Sequence, residues 1–84
     1  MFKITLIIEG MACGMCEAHV NDAIRSAFKV KKLASSHKRG ETVFLAETSP
    51  AEEALLAVIE KTGYHLLSVT AEPYEKKKLF GILG

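Results

Sequence analysis

The chain has 84 residues, of which 49% are apolar and 25% charged, and a formal net charge of +1. That length suits a single domain with a small core, in the composition range of ordinary globular proteins. The near-neutral balance excludes the basic footprint of nucleic-acid binding, and no apolar run approaches the roughly 18–20 residues that a membrane-spanning helix needs.

Residues 2–9 (FKITLIIE) place Phe2, Ile4, Leu6 and Ile8 on one side and Lys3, Thr5, Ile7 and Glu9 on the other. This period of two predicts a half-buried strand, and Ile7 on the nominal solvent side marks it as a central one. The charge at Glu9 separates the pattern from that of a signal peptide. Gly10 breaks the strand, and residues 11–15 are expected to form a loop. From Cys16 the period changes: Cys16, Val20, Ala23, Ile24 and Ala27 fall on one helical stripe, with Glu17, Asn21, Asp22 and Arg25 away from it. This helix is predicted to end near Phe28.

Residues 31–38 and 41–47 read as two strands joined at Lys38-Arg39-Gly40, where glycine supplies the turn. The first is weakly apolar and rich in lysine, which suits a sheet edge. Ser49-Pro50-Ala51-Glu52 predicts a helix start: Ser49 as cap, Pro50 in the first helical position, and Glu52 closing a capping box. Ala51, Ala54, Leu55, Val58, Ile59 and Thr62 form the second stripe, Gly63 stops it, and residues 65–72 (HLLSVTAE) give a last strand before Pro73.

The order is βαββαβ. Each helix is apolar on one side only, so both must pack on one face of a four-stranded antiparallel sheet, an α+β, ferredoxin-like plait. The domain is expected over residues 1–73, with a basic and apolar tail over residues 74–84. Of the two similar βαβ halves, only the first carries cysteines.

Chemistry concentrates in Gly10-Met11-Ala12-Cys13-Gly14-Met15-Cys16. Two thiols three residues apart at a strand-to-helix junction face free backbone N–H groups and the positive end of the helix dipole. Both favour thiolate, the form that binds metal. Soft sulfur selects Cu(I), Zn(II) or similar ions. Two thiolates suit Cu(I) in particular, whereas zinc wants four ligands and there is no second cysteine pair. With no export signal read at the N-terminus, the cysteines are expected in a reducing, cytoplasmic setting.

Gly-Met-x-Cys-x-x-Cys after a first strand, in a βαββαβ chain of this length, resembles the heavy-metal-associated domain family. That family comprises soluble copper chaperones and the N-terminal domains of metal-pumping P-type ATPases. The resemblance, covering roughly residues 2–72, implies Cys13 and Cys16 as the metal ligands and Met11 as a core residue that supports the loop. Gly63-Tyr64 matches the loop facing the metal, where tyrosine is frequent in bacterial copper members. One departure is Lys29, where the family often has glycine after the first helix. The implied activity is non-enzymatic: a metallochaperone passing Cu(I) by thiolate exchange to a copper-transporting P-type ATPase or a copper-sensing repressor. The implied form is a monomer or a metal-bridged dimer.

Two rival readings remain. His19, one turn after Cys16, or His65, after Tyr64, could add a nitrogen ligand and turn the site toward Zn(II) or Cd(II), with Glu17 the one nearby carboxylate. The same Cys-x-x-Cys spacing also serves thiol–disulfide oxidoreductases, against which the placement of Pro50 and Pro73 and the element order both count. By helical geometry His19 lies about 100° from the stripe centre and is expected on the surface, as is His65, while His37 is expected in solvent. Met15 is expected to be exposed, as an apolar contact for a partner. The tail, with Lys76, Lys77 and Lys78 before Leu79, Phe80, Ile82 and Leu83, either folds back on the domain or makes weak contact with an anionic membrane surface.

Overall fold

The computed structural model describes residues 1–74; the expectations for the tail from residue 75 onward fall outside the described residues. The elements are β1 (Phe2–Glu9), α1 (Gly14–Ala27), β2 (Lys31–Ser36), β3 (Glu41–Ala46), α2 (Glu52–Lys61) and β4 (His65–Pro73). They form the expected plait, with one antiparallel sheet in the order β2-β3-β1-β4.

The two periodicities meet in a single core. Ile4, Leu6 and Ile8 of β1 and Phe44 and Ala46 of β3 share one face, against Val20 and Ile24 of α1 and Leu55 and Ile59 of α2. None of these side chains is more than 5% exposed, and each large one buried this way contributes about 1.5–3 kcal/mol. β1 is central, as Ile7 suggested: on the outer face Ile7 lies between Glu41 of β3 and Ser68 of β4.

β2 is the edge strand its lysines implied, but it is shorter and less regular than the sequence reading. It ends at Ser36, and its register slips between Lys31 and Ala34, where Lys32 takes a φ of 51°. A polar chain fixes it from the inside. The Ser35 hydroxyl donates to Asn21 Oδ1 at 2.7 Å, leaving the fully buried Thr42 hydroxyl to donate to Ser35 Oγ at 2.7 Å. A buried hydroxyl needs such a partner, and this chain ties α1, β2 and β3 together. Gly40 closes the hairpin with a φ of 66°, as expected, and its carbonyl accepts the Ile8 N–H at 2.7 Å.

Both helix starts differ from the sequence reading. α1 begins at Gly14, with Cys13 as its N-cap, so Met15 is helical rather than in a loop. α2 begins at Glu52, with Ala51 as N-cap and no side-chain cap. Ser49 and Glu52 therefore form no capping box. Ala51 stays extended after Pro50, and its carbonyl takes the first helical bonds, from Ala54 and Leu55 at 3.0 and 3.1 Å. At the far end of α1, Phe28 leaves the helix in extended conformation, and no left-handed residue is needed at Lys29. Gly63, with a φ of 96°, ends α2 as predicted. β4 runs to Pro73, and the Tyr74 N–H bonds the Met1 carbonyl at 2.8 Å.

Candidate metal centre

β1 delivers the chain to one end of the sheet, and the loop over residues 10–13 turns it back into α1. Gly10 makes that turn with a φ of 108°, a region that disfavours side chains. It also lies against Tyr64: a Cβ on residue 10 would stand 3.1 Å from Tyr64 Cδ1. Met11 then drops into the core, 6% exposed, and anchors the loop from below. This leaves Ala12 and Cys13 exposed, with Cys16 half-buried one turn further on.

Both cysteines are free, with Sγ atoms 3.6 Å apart. Cysteine at the N-cap and at the third helical position puts both thiols at the positive end of α1. The Cys16 thiol is lowered to about 7. The largest cause is a hydrogen bond from the Tyr64 side chain, followed by backbone bonds from Ala12 and Cys13, while partial burial works the other way. Tyr64 is raised in return, because its hydroxyl proton is held against Cys16 sulfur. Tyr64 is thus more than a neighbour of the site; it is the largest single influence that lowers the Cys16 thiol.

The other expected participants lie elsewhere. His65 is exposed at the start of β4, with Nδ1 3.4 Å from Glu60 Oε1, and the Leu66 N–H donates to Glu60 Oε2 at 3.4 Å. His19 is exposed on α1, as the helical wheel indicated. Among the described residues, no group of three or more His, Cys, Asp or Glu side chains is placed to hold a metal ion.

Two residues are worth setting against the sequence reading. His37 is not free in solvent: its backbone N–H donates to Glu17 Oε2 at 2.8 Å and its ring Nδ1 lies 2.7 Å from the same oxygen. These bonds hold the Glu17 carboxyl below its usual range. The pairing spans 20 residues of sequence, a separation at which no periodicity could reveal it. Met15, in contrast, is as exposed as expected, at 69%.

A hollow of about 670 Å³ lies at the opposite end of the molecule, lined by Met1, Phe28, Val30, Leu45 and Pro50 among others. It contains neither cysteine; the thiol pair lies at the surface, with Cys13 exposed and Cys16 half-buried. Pro50 stands at that far end too, and Pro73 closes the edge strand β4. Neither faces the thiols as an oxidoreductase of the thioredoxin type would require. No helix among the described residues is long and apolar enough to cross a membrane.

Fold and site together define a βαββαβ domain with a thiol pair on its surface. No protein-family model matches the chain. Mercuric reductase of Serratia marcescens is 29% identical over 72 residues, which are 86% of this chain and 16% of that protein. Mercuric reductase of Lysinibacillus sphaericus is 34% identical over 64 residues, 76% of this chain and 12% of that protein. The chain therefore spans less than a fifth of the length of these curated relatives. Among solved structures, the copper binding domain from HMA7, a P-type ATPase, superposes with a TM-score of 0.74 at 24% identity, covering 88% of this chain and 100% of that one. The CopZ metallochaperone gives a TM-score of 0.69 at 24% identity, over 77% of this chain and 98% of that one. Oxidized MerP from Ralstonia metallidurans gives 0.68 at 24%, over 83% and 99%. The chain has the ferredoxin-like fold of heavy-metal-associated domains and resembles copper chaperones and the metal-binding domains of P-type ATPases.

Proposed function

We propose that this chain is a metal carrier that binds one soft ion, Cu(I), between Cys13 and Cys16 and passes it to a partner by thiolate exchange. One observation supports this above the others: two free thiols 3.6 Å apart at an exposed helix start, with Cys16 lowered to about 7. At neutral pH much of Cys16 is then thiolate. Metal–sulfur bonds of about 2.3 Å, the length known for zinc, span such a pair without backbone movement. A near-linear geometry asks the sulfurs to part by about 1 Å more on the same bond length, which rotation of the exposed Cys13 side chain allows.

Transfer follows from exposure. An incoming thiolate approaches over Cys13 and Met15, bonds the ion, and one of the two original cysteines leaves with a proton from solvent or from the partner. Cys13, the more exposed of the pair, is the sulfur beside which the incoming thiolate first reaches the ion. The resemblance supports a copper-transporting P-type ATPase or a copper-sensing repressor as partner, in a reducing cytoplasm.

A second cargo, Hg(II), is favoured by the curated relatives, which are mercuric reductases. It needs the same two soft sulfurs and no other residue. Anaerobic competition titrations of the reduced chain against chelators for Cu(I), Hg(II) and Zn(II) test both readings. Stoichiometric Cu(I) binding at the affinity of a carrier, lost in Cys13→Ser and in Cys16→Ser, is the expected result. Retention of tight Cu(I) binding in either single variant overturns the ligand assignment.

A further inference from the structure

Glu17 is the only carboxylate next to the thiol pair in sequence, and helical geometry brings it closer still. It stands one turn after Cys13, with its N–H 3.3 Å from the Cys13 carbonyl oxygen. Residues four apart on a helix have Cβ atoms about 5–6 Å from each other. A carboxylate so placed is a natural third ligand for a borderline ion such as Zn(II), which takes Asp and Glu oxygen at about 2.0–2.2 Å. Yet Glu17 is not gathered with the cysteines, and no three-ligand group exists among the described residues.

His37 accounts for this. Its backbone N–H and its ring both converge on Glu17 Oε2, at 2.8 and 2.7 Å. A carboxylate only accepts, so Nδ1 carries the proton and donates. Two bonds to one oxygen, from a side chain 32% exposed to one 28% exposed, fix the carboxylate against the turn between β2 and β3. Swinging it to the sulfurs would break both and leave the His37 N–H without its partner.

We propose that His37 is a selectivity residue of the thiol site: by holding Glu17 on the β2–β3 turn, it denies Cys13 and Cys16 an oxygen ligand and keeps the site for soft, two-sulfur ions. The proposal rests on the reading of Cys13 and Cys16 as metal ligands. Glu17 and His37 are positioning residues in this scheme and touch no metal. A purely structural latch between α1 and the hairpin would use the same two bonds, so the test must move with the freed carboxylate and not with the loss of the latch.

The experiment titrates the reduced full chain with Zn(II) and with Cu(I), each against a competing chelator, in four forms: wild type, His37→Ala, His37→Leu, and His37→Ala combined with Glu17→Gln. His37→Leu keeps the bulk of the ring in case the smaller side chain loosens the fold, which circular dichroism reports. Both His37 variants are expected to bind Zn(II) about ten- to a hundredfold more tightly, the range over which outer partners change metal affinity. Cu(I) affinity stays as in wild type, and the double variant returns to wild-type zinc binding because the released ligand is gone. Unchanged zinc affinity in a folded His37 variant overturns the proposal, and so does a rise that persists in the double variant. Failure of wild type to hold any Cu(I) would instead sink the carrier reading, independently of the zinc comparison.

Discussion

The two helices start in the same way and to different ends. Neither α1 nor α2 has a side-chain cap: Cys13 and Ala51 occupy the N-cap positions in extended conformation, with φ of −157° and −65°. In α2 the first turn carries only Glu52 and Glu53 as charged company for its unused donors. In α1 the Cys16 thiol sits at the helix start, where Tyr64 and the backbone at Ala12 and Cys13 bring it down to about 7. An uncapped helix start is thus a weakness in one half of the plait and a thiolate site in the other. What separates them is a cysteine where serine or aspartate would satisfy the backbone.

The largest effect should come from reversing that choice. Cys13→Ser is expected to lose Cu(I) affinity well beyond the ten- to hundredfold that outer partners are worth. It should nevertheless fold more stably, by about 0.5–1 kcal/mol, because serine is a good N-cap. Cys16→Ser should lose the ion equally without that gain, since residue 16 lies inside the helix. Chelator competition and thermal melting of the two variants check this, and a Cys13→Ser variant less stable than wild type would break the comparison.

Next in size is Gly10→Ala. A side chain at a φ of 108° costs about 1–3 kcal/mol, and its Cβ would press on Tyr64 at 3.1 Å. Both effects fall on the thiol end only. Denaturant melts should show the loss in stability, and alkylation of Cys16 should show a raised midpoint as Tyr64 shifts.

Tyr64→Phe isolates the electrostatic part. The hydroxyl is the largest cause of the lowered Cys16 thiol, so removing it should move the titration midpoint of Cys16 upward from about 7. The measurement is alkylation rate in a Cys13→Ser background. With Tyr64 intact the midpoint there should be slightly above 7, because the Cys13 side chain makes the smallest contribution to the lowering and its backbone bond stays. Adding Tyr64→Phe to that background should raise it further. The linkage sign follows. A folded-state thiol below its ordinary value stabilises the fold fully above that ordinary value, near 9. The contribution fades as pH falls through about 7. An unchanged midpoint in Tyr64→Phe would mean that the helix start alone sets the thiol.

What could be foreseen divides along the same line between local and distant causes. The element order, the central place of β1, the lysine-rich edge β2 and the glycines at positions 40 and 63 all came from patterns spanning a few residues, while the burial of Met11 was implied by the family resemblance. The placement of Cys13 and Cys16 came from such a pattern too. Tyr64, 48 positions after Cys16, was placed at the thiol end by the family resemblance alone, whereas the Glu17–His37 pair and the Asn21–Ser35–Thr42 chain join residues 7 to 20 positions apart. Nothing in local spacing marks them, because polar partners of this kind are chosen by the packed fold. The start of α2 misled for another reason. Ser49 and Glu52 have the right spacing for a capping box, but Ala51 remains extended after Pro50, so the helix begins two residues later than the motif requires.

That late start gives the smallest and cleanest test. Ala51→Ser supplies at α2 the cap that α1 forgoes, and its hydroxyl can accept the N–H of Glu53 or Ala54. Aspartate would serve the geometry equally but would stand beside Glu52 and Glu53 and repel them. The expected gain is about 0.5–1 kcal/mol, read as a higher melting temperature with Cu(I) affinity unchanged, since α2 begins at the end of the sheet away from the cysteines. Cys13→Ser should produce a gain of the same size and lose the ion. Equal gains, with the ion kept in Ala51→Ser and lost in Cys13→Ser, would show that α1 gives up a cap for its thiol. No gain at Ala51 would show that the donors at the start of α2 are already satisfied by water, and the advantage expected of Cys13→Ser would then need a cause other than capping.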